Sequence, residues 1–387
     1  MARFPRMRST LCLFAALAAV GLTLSSRLSA QNNCRPEPRP TRPRMEVVFV
    51  LDTTGSMSGM IAGAKQKIWA IANKLKSAEP TPEIRFGLVG YRDRGDAYVT
   101  QVVGLTTDLD DVYNHLNGFT ADGGGDEPES VNTALHQAVR DLQWSADPEV
   151  LKVIFLVGDA PPHMDYQDDV KYPETCKLAN RKGILINTLQ CGRLGGTEQV
   201  WRAIARNTNG AYAAILQDGG SVKIETPYDQ EIIRLNVELD ATIILFGSKA
   251  DQAKAAENKN LLARMSSEAV ADRSSYLGKA EAGSVMAGQG DLLVEVMNGR
   301  QQVDAIDAKQ LDAKLQAMAP AARKELIERK VSDRRALQAE LAKVVAQRDA
   351  AVAEKLKKLD GKEGVLELNA FEVLEAQAKA KGYRFEK

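Results

Sequence analysis

The segment Val47-Val48-Phe49-Val50-Leu51-Asp52-Thr53-Thr54-Gly55-Ser56-Met57 is an unbroken apolar run followed by a carboxylate and two hydroxyls at alternate positions. The side-chain oxygens of Asp52, Thr54 and Ser56 then face one point. A second apolar run, Phe155-Leu156-Val157-Gly158-Asp159-Ala160-Pro161-Pro162-His163, delivers another carboxylate, Asp159, in the same way. Between them, Gly123-Gly124-Gly125-Asp126-Glu127-Pro128-Glu129-Ser130 is an acidic, glycine-rich loop placed to close a third side. Carboxylates and hydroxyls without imidazole or thiolate make a hard oxygen site, suited to Mg²⁺ first, with Mn²⁺ or Ca²⁺ as alternatives, and ill suited to zinc. Bringing Asp52, Glu129 and Asp159 together without a cation would raise at least one pKa, and a divalent ion removes that conflict. A zinc cluster is not expected from three histidines, His115, His136 and His163, and no Cys-x-x-Cys.

Such a site needs strands that end at one edge. From Glu46 onward apolar runs alternate with amphipathic segments: Val47 to Leu51, Arg85 to Tyr91, Tyr98 to Leu105, Val153 to Val157, Ile184 to Leu189 and Ala211 to Leu216. Ile61, Ala64, Ile68, Ile71 and Leu75 mark one intervening helix, and Val131, Leu135, Ala138 and Leu142 another. This alternation predicts an α/β fold: a doubly wound, mainly parallel six-stranded sheet with right-handed crossovers and both faces covered. Ligands of such sheets bind at the carboxyl ends of the strands, where strand order reverses.

The chain has 387 residues, enough for about two domains. Residues 45–217 are read as the sheet domain, 218–300 as a mixed α/β extension and 301–387 as a helical C-terminal region. Pro320 can open a long helix to about Leu359, with Leu326, Leu337, Leu341, Val345 and Val352 as a loose seam. Arg348 on that seam favours packing on its own domain over a coiled-coil homodimer. Residues 31–44 hold Pro36, Pro38, Pro40, Pro43 and four arginines, an extended linker. Residues 1–30 read as a signal peptide: basic through Arg8, apolar from Leu11 to Leu24, and small at Ser29-Ala30. Cleavage near Ala30 would yield a secreted or periplasmic protein with no transmembrane segment. Lys plus Arg and Asp plus Glu both count 51; loss of Arg3, Arg6, Arg8 and Arg27 leaves 47 against 51, and no basic field for nucleic acid. Cys176 and Cys191 would form either a disulfide or two buried thiols, with Cys34 left over.

Asp52-x-Thr54-x-Ser56 on a first strand resembles the metal-ion-dependent adhesion site of von Willebrand factor type A (VWA) domains, which implies a Rossmann-like sheet. The loop Gly-Gly-x-Asp126-x-Pro128-Glu129 resembles the integrin β-subunit I-like version, in which a glutamate is the ligand. The stretch Gly158 to His163 resembles that subgroup and the VWA domains attached to alpha-kinases. The resemblance covers Glu46 to about Leu216. It implies a metal set of Asp52, Thr54, Ser56, Glu129 and Asp159, with Asp126 serving an accessory ion or bracing the loop. Thr54 stands where serine is commoner, and Met60 and Ile61 stand where integrin β domains carry adjacent acids for a second metal, so that site is not transferred. The implied function is non-enzymatic binding of a protein partner through its carboxylate.

Taken singly, each motif has a plainer reading. Asp, Thr and Ser commonly cap helices, Asp126 and Glu129 have the spacing of a cap and a first-turn acid, and Asp159 can brace a turn. His163 reads as a loop residue, and Trp69 and Trp144 as core or surface cover. A metal hydrolase or phosphotransferase using Asp52 or Ser56 is the rival, yet the chain has no Gly-x-Ser-x-Gly, no phosphate-cradling Gly-x-x-x-x-Gly-Lys and no Asp-x-Asp at Asp52. A metal-free scaffold acting through its C-terminal helices is the third reading. Composition leaves the oligomeric state open.

Overall fold

The computed structural model describes residues 43–125, 127–216, 224–286, 288–359 and 366–385. The leader at 1–30, Cys34, nearly all of the 31–44 linker and Asp126 lie outside the described residues. The sheet domain comprises β1 (Arg44–Asp52), α1 (Ser58–Lys76), β2 (Ala78–Glu79), β3 (Glu83–Tyr91), β4 (Thr100–Thr106), α2 (Leu109–Gly118), α3 (Val131–Arg140), β5 (Leu151–Gly158), α4 (Tyr172–Lys182), β6 (Ile184–Cys191), α5 (Thr197–Asn207) and β7 (Tyr212–Ile215). There follow α6 (Asp229–Thr242), α7 (Lys249–Lys259), α8 (Ser267–Gly278), α9 (Leu292–Met297), α10 (Ala313–Gln316), α11 (Pro320–Leu359), α12 (Leu366–Ala380) and β8 (Arg384–Phe385).

Six strands form one sheet in the order β4-β3-β1-β5-β6-β7, parallel except for the edge strand β4. Apolar runs buried on both faces, as in β1 and β5, are what a covered parallel sheet requires. Alternation along β1 sends Val47, Phe49 and Leu51 to one face and Val48 and Val50 to the other. The first face packs against α1, α2, α8 and α12, and the second against α3, α4 and α5. Phe49 stacks on Phe155 at 5.7 Å across the β1–β5 pair. Strand order reverses at β1, which lies between β3 and β5, so Asp52 ends its strand at the switch point and Asp159 follows directly on the neighbouring one.

The expected mixed α/β extension at 218–300 is corrected. Its described residues form helices, with strand-like pairing confined to isolated bridges at Leu245 and Phe246. The apolar run through Ile243 and Ile244 is buried among helices instead of joining a sheet. The disulfide alternative also fails for Cys176 with Cys191: both are buried, and the sheet separates them, since Cys191 packs on the α1 face and Cys176 on the α3 face.

Along α11, Ile327, Val331, Arg334, Leu341 and Arg348 form a buried stripe, while Glu328, Arg335, Glu340 and Lys343 are exposed. That stripe packs on α6, α8 and α9 of the same chain. Three buried arginines tie the region together: Arg273 of α8 to Asp110 of α2, Arg334 of α11 to Asp291, and Arg348 of α11 to Asp272 of α8. Among the described residues no helix is long and apolar enough to cross a membrane.

Candidate functional site

At the carboxyl end of β1 the chain turns sharply, and Asp52 directs that turn. Its Oδ1 accepts the Thr54 backbone N–H at 2.9 Å and the Thr54 hydroxyl at 2.6 Å. Thr54 Oγ1 lies 3.3 Å from Ser56 Oγ, so the three predicted groups form a chain of oxygens running outward. Asp52 and Thr54 are buried and Ser56 is exposed.

Two glycines let the other stretches reach this turn. At Gly124, with φ +78°, a Cβ would lie 3.3 Å from both Glu129 Oε1 and Thr54 Cβ, so bare backbone here brings the acidic loop against Thr54. At Gly158 a Cβ would lie 2.4 Å from the Tyr91 hydroxyl and 3.1 Å from Asp52 Oδ2, an approach that excludes any side chain. Glu129 is further held by its own backbone: its N–H donates to Pro161 O at 2.9 Å, and its carbonyl accepts from His163 N–H at 3.1 Å. The loop Gly123 also accepts Gly55 N–H at 3.1 Å. The structure thus gathers the stretches carrying Asp52, Thr54, Ser56, Glu129 and Asp159; Asp126 lies outside the described residues.

Electrostatics at this junction are unfavourable as the protein stands. Burial pushes the Asp52 carboxyl up to about 7, despite the Thr54 donors, with the charge of Asp159 adding to the rise. Burial likewise raises Glu129 to about 9, reinforced by Asp52, Asp93, Asp96 and Asp159. Asp52 Oδ2 and Glu129 Oε2 are buried without a hydrogen-bond partner. Unsatisfied buried carboxylate oxygens are costly, and a cation relieves them. Among the described residues no three His, Cys, Asp or Glu side chains gather closely enough to hold a metal by themselves; the Thr54 and Ser56 hydroxyls are further oxygen donors at the same turn.

The sequence profile of the von Willebrand factor A domain matches residues 46–227. Residues 46–227 are a VWA domain. Human von Willebrand factor A domain-containing protein 7 is 34% identical over 152 residues, covering 39% of this chain and 16% of that one. The alpha-protein kinase vwkA of Dictyostelium discoideum is 26% identical over 120 residues, 31% of this chain and 19% of that one. The matches span only 11 to 19% of the curated relatives. Among solved structures, proximal thread matrix protein 1 from the mussel byssus, determined with zinc in its MIDAS motif, aligns at 18% identity and a TM-score of 0.37, covering 46% of this chain and 43% of that one.

In this VWA domain Met60 and Ile61, in the first turn of α1, are buried in the core. His163 sits next to the site with its ring turned to acids, Nδ1 at 2.8 Å from Asp165 and Nε2 at 3.3 Å from Asp93, and stacked on Tyr166 at 4.0 Å. Sequence reasoning missed Tyr91, Arg92, Asp93 and Asp96. Asp96 accepts the Gly124 N–H at 3.1 Å and so holds the glycine turn. The only signal was a charged Arg92-Asp93 pair immediately after a buried strand.

Proposed function

We propose that this chain is an exported binding protein whose VWA domain uses one divalent cation, Mg²⁺ in the first instance, to capture a carboxylate of a protein partner. Thr54 and Ser56, with Glu129, would hold the cation, while Asp52 and Asp159 act directly or through water. The bound ion would supply positive charge for the buried carboxylates and an open position for the partner's acid. The carrying observation is the pair of buried oxygens, Asp52 Oδ2 and Glu129 Oε2, left without partners on stretches that meet at Thr54. Carboxylates with neutral hydroxyls form a donor set that suits a hard ion, and a partly neutral set leaves that ion electrophilic. The adhesive reading involves binding without turnover.

A pull-down from the exported fraction with the full mature chain, in Mg²⁺, Mn²⁺, Ca²⁺ or Zn²⁺ and then in excess chelator, tests it. Capture of a partner should require metal and be lost in Asp52→Ala. Capture that persists in chelator overturns the mechanism, and substrate turnover abolished by Asp52→Ala would favour an enzyme instead.

A further inference from the structure

We propose that Arg92 and Asp93, at the end of β3, are the positioning residues that hold the three site stretches together, although neither is a ligand. This rests on the metal reading above. Arg92 reaches two stretches with one guanidinium: Nε donates to Thr53 O at 3.2 Å, and Nη2 donates to Thr120 O at 2.8 Å. Thr53 is the residue between Asp52 and Thr54, and Thr120 leads into the glycine loop. The Arg92 carbonyl meanwhile accepts Ser130 N–H at 3.2 Å, immediately after Glu129. The guanidinium lies over the Tyr98 ring, 4.5 Å from its centroid, and Arg92 is almost wholly buried.

Asp93 completes the ring from the other side. One carboxylate oxygen accepts the Ser130 hydroxyl at 2.7 Å, and the other accepts the Tyr166 hydroxyl at 2.7 Å. Tyr166 and His163 belong to the loop that follows Asp159, so Asp93 joins the third stretch to the second. Two adjacent residues of opposite charge therefore bridge every stretch that contributes a proposed ligand. Arg92 has no lone pair to offer a cation, and each Asp93 oxygen accepts a hydroxyl of the ring. A rigid fork to two carbonyls is a geometry that arginine provides and lysine does not.

The test uses the full mature chain and Mn²⁺ as probe, with affinity measured by titration calorimetry and melting followed in excess chelator. Arg92→Gln and Asp93→Asn should each weaken Mn²⁺ binding by 10-fold or more while the chelator-state melting transition stays cooperative. A residue with a merely structural role would lower that transition and leave the affinity of the folded protein unchanged, which would overturn the proposal. If either variant fails to fold, Tyr166→Phe decides: it removes one tether and keeps the ring, and unchanged affinity overturns the inference whereas a 3-fold loss or more supports it. Should the parent chain itself bind no Mn²⁺, the metal reading fails and takes this one with it; parent-like binding in the variants defeats this inference alone.

Discussion

Asp52 is the residue at which the cost of this site is concentrated. A carboxyl moved from 3.8 to about 7 disfavours its charged form by about 4 kcal/mol. The folded pKa lies above the unfolded one, so the metal-free protein is most stable with Asp52 protonated and loses that stability as pH rises from about 4 to about 7. Cation binding needs the ionised form and therefore runs the other way. Stabilisation by Mg²⁺ should accordingly grow between pH 6 and pH 8, measured as the difference in melting temperature with and without metal. A difference that is flat or falls with pH would place the cation elsewhere. Asp52→Asn should raise or preserve stability in chelator, because the amide removes a buried charge at almost equal volume, and should abolish the metal-induced shift. Asp52, Thr54 and Ser56 are legible in the sequence because their spacing is local and follows a buried strand. Arg92 and Asp93 are not, because their bonds run to carbonyls and hydroxyls about 30 to 70 residues away, at Thr53, Thr120, Ser130 and Tyr166.

Helices beyond the sheet are joined to it by buried charge. Arg273 makes a two-pronged contact with Asp110 at 2.8 Å on each branch, and it also donates to Val285 O at 3.0 Å. Removing one partner leaves the other charged and unpaired, at a cost of about 3–5 kcal/mol. Arg273→Ala should therefore lower unfolding free energy by that amount in urea titration. By contrast Arg300→Ala, which breaks exposed pairs with Glu281 and Glu295, should cost at most about 1 kcal/mol. Equal losses would mean that the α2–α8 contact adds nothing special. Strands β1 and β5 can be read from sequence because runs such as Val47 to Leu51 are apolar at every position. The helical character of the described residues between 224 and 300 is harder to read, since Ile243 to Phe246 has strand-like composition and arginines such as Arg273 suggest a solvated surface until distant partners bury them.

At the scale of the whole molecule, α12 returns from the far end of the chain to cover the sheet. Leu374 and Ala378 are buried in the same cluster as Phe49 and Phe155, against α1. Gln377 exchanges hydrogen bonds with Asn187 of β6 at 3.0 and 2.8 Å, and β8 pairs antiparallel with β2 next to the end of α1. The sheet domain is thus completed by residues that lie well beyond 227, where the family match ends. Fully burying a leucine contributes about 1.5–3 kcal/mol, and truncating it to alanine costs about 2–5 kcal/mol once the residual cavity is included. Leu374→Ala should therefore lose that much in urea titration. Removal of residues 360–387 should do more, uncovering the sheet face around Leu374 and making the chain aggregate or unfold at temperatures the full chain withstands. Light scattering during a thermal ramp checks this. A truncated chain that stays monomeric and melts with the parent would show that α1, α2 and α8 cover this face unaided.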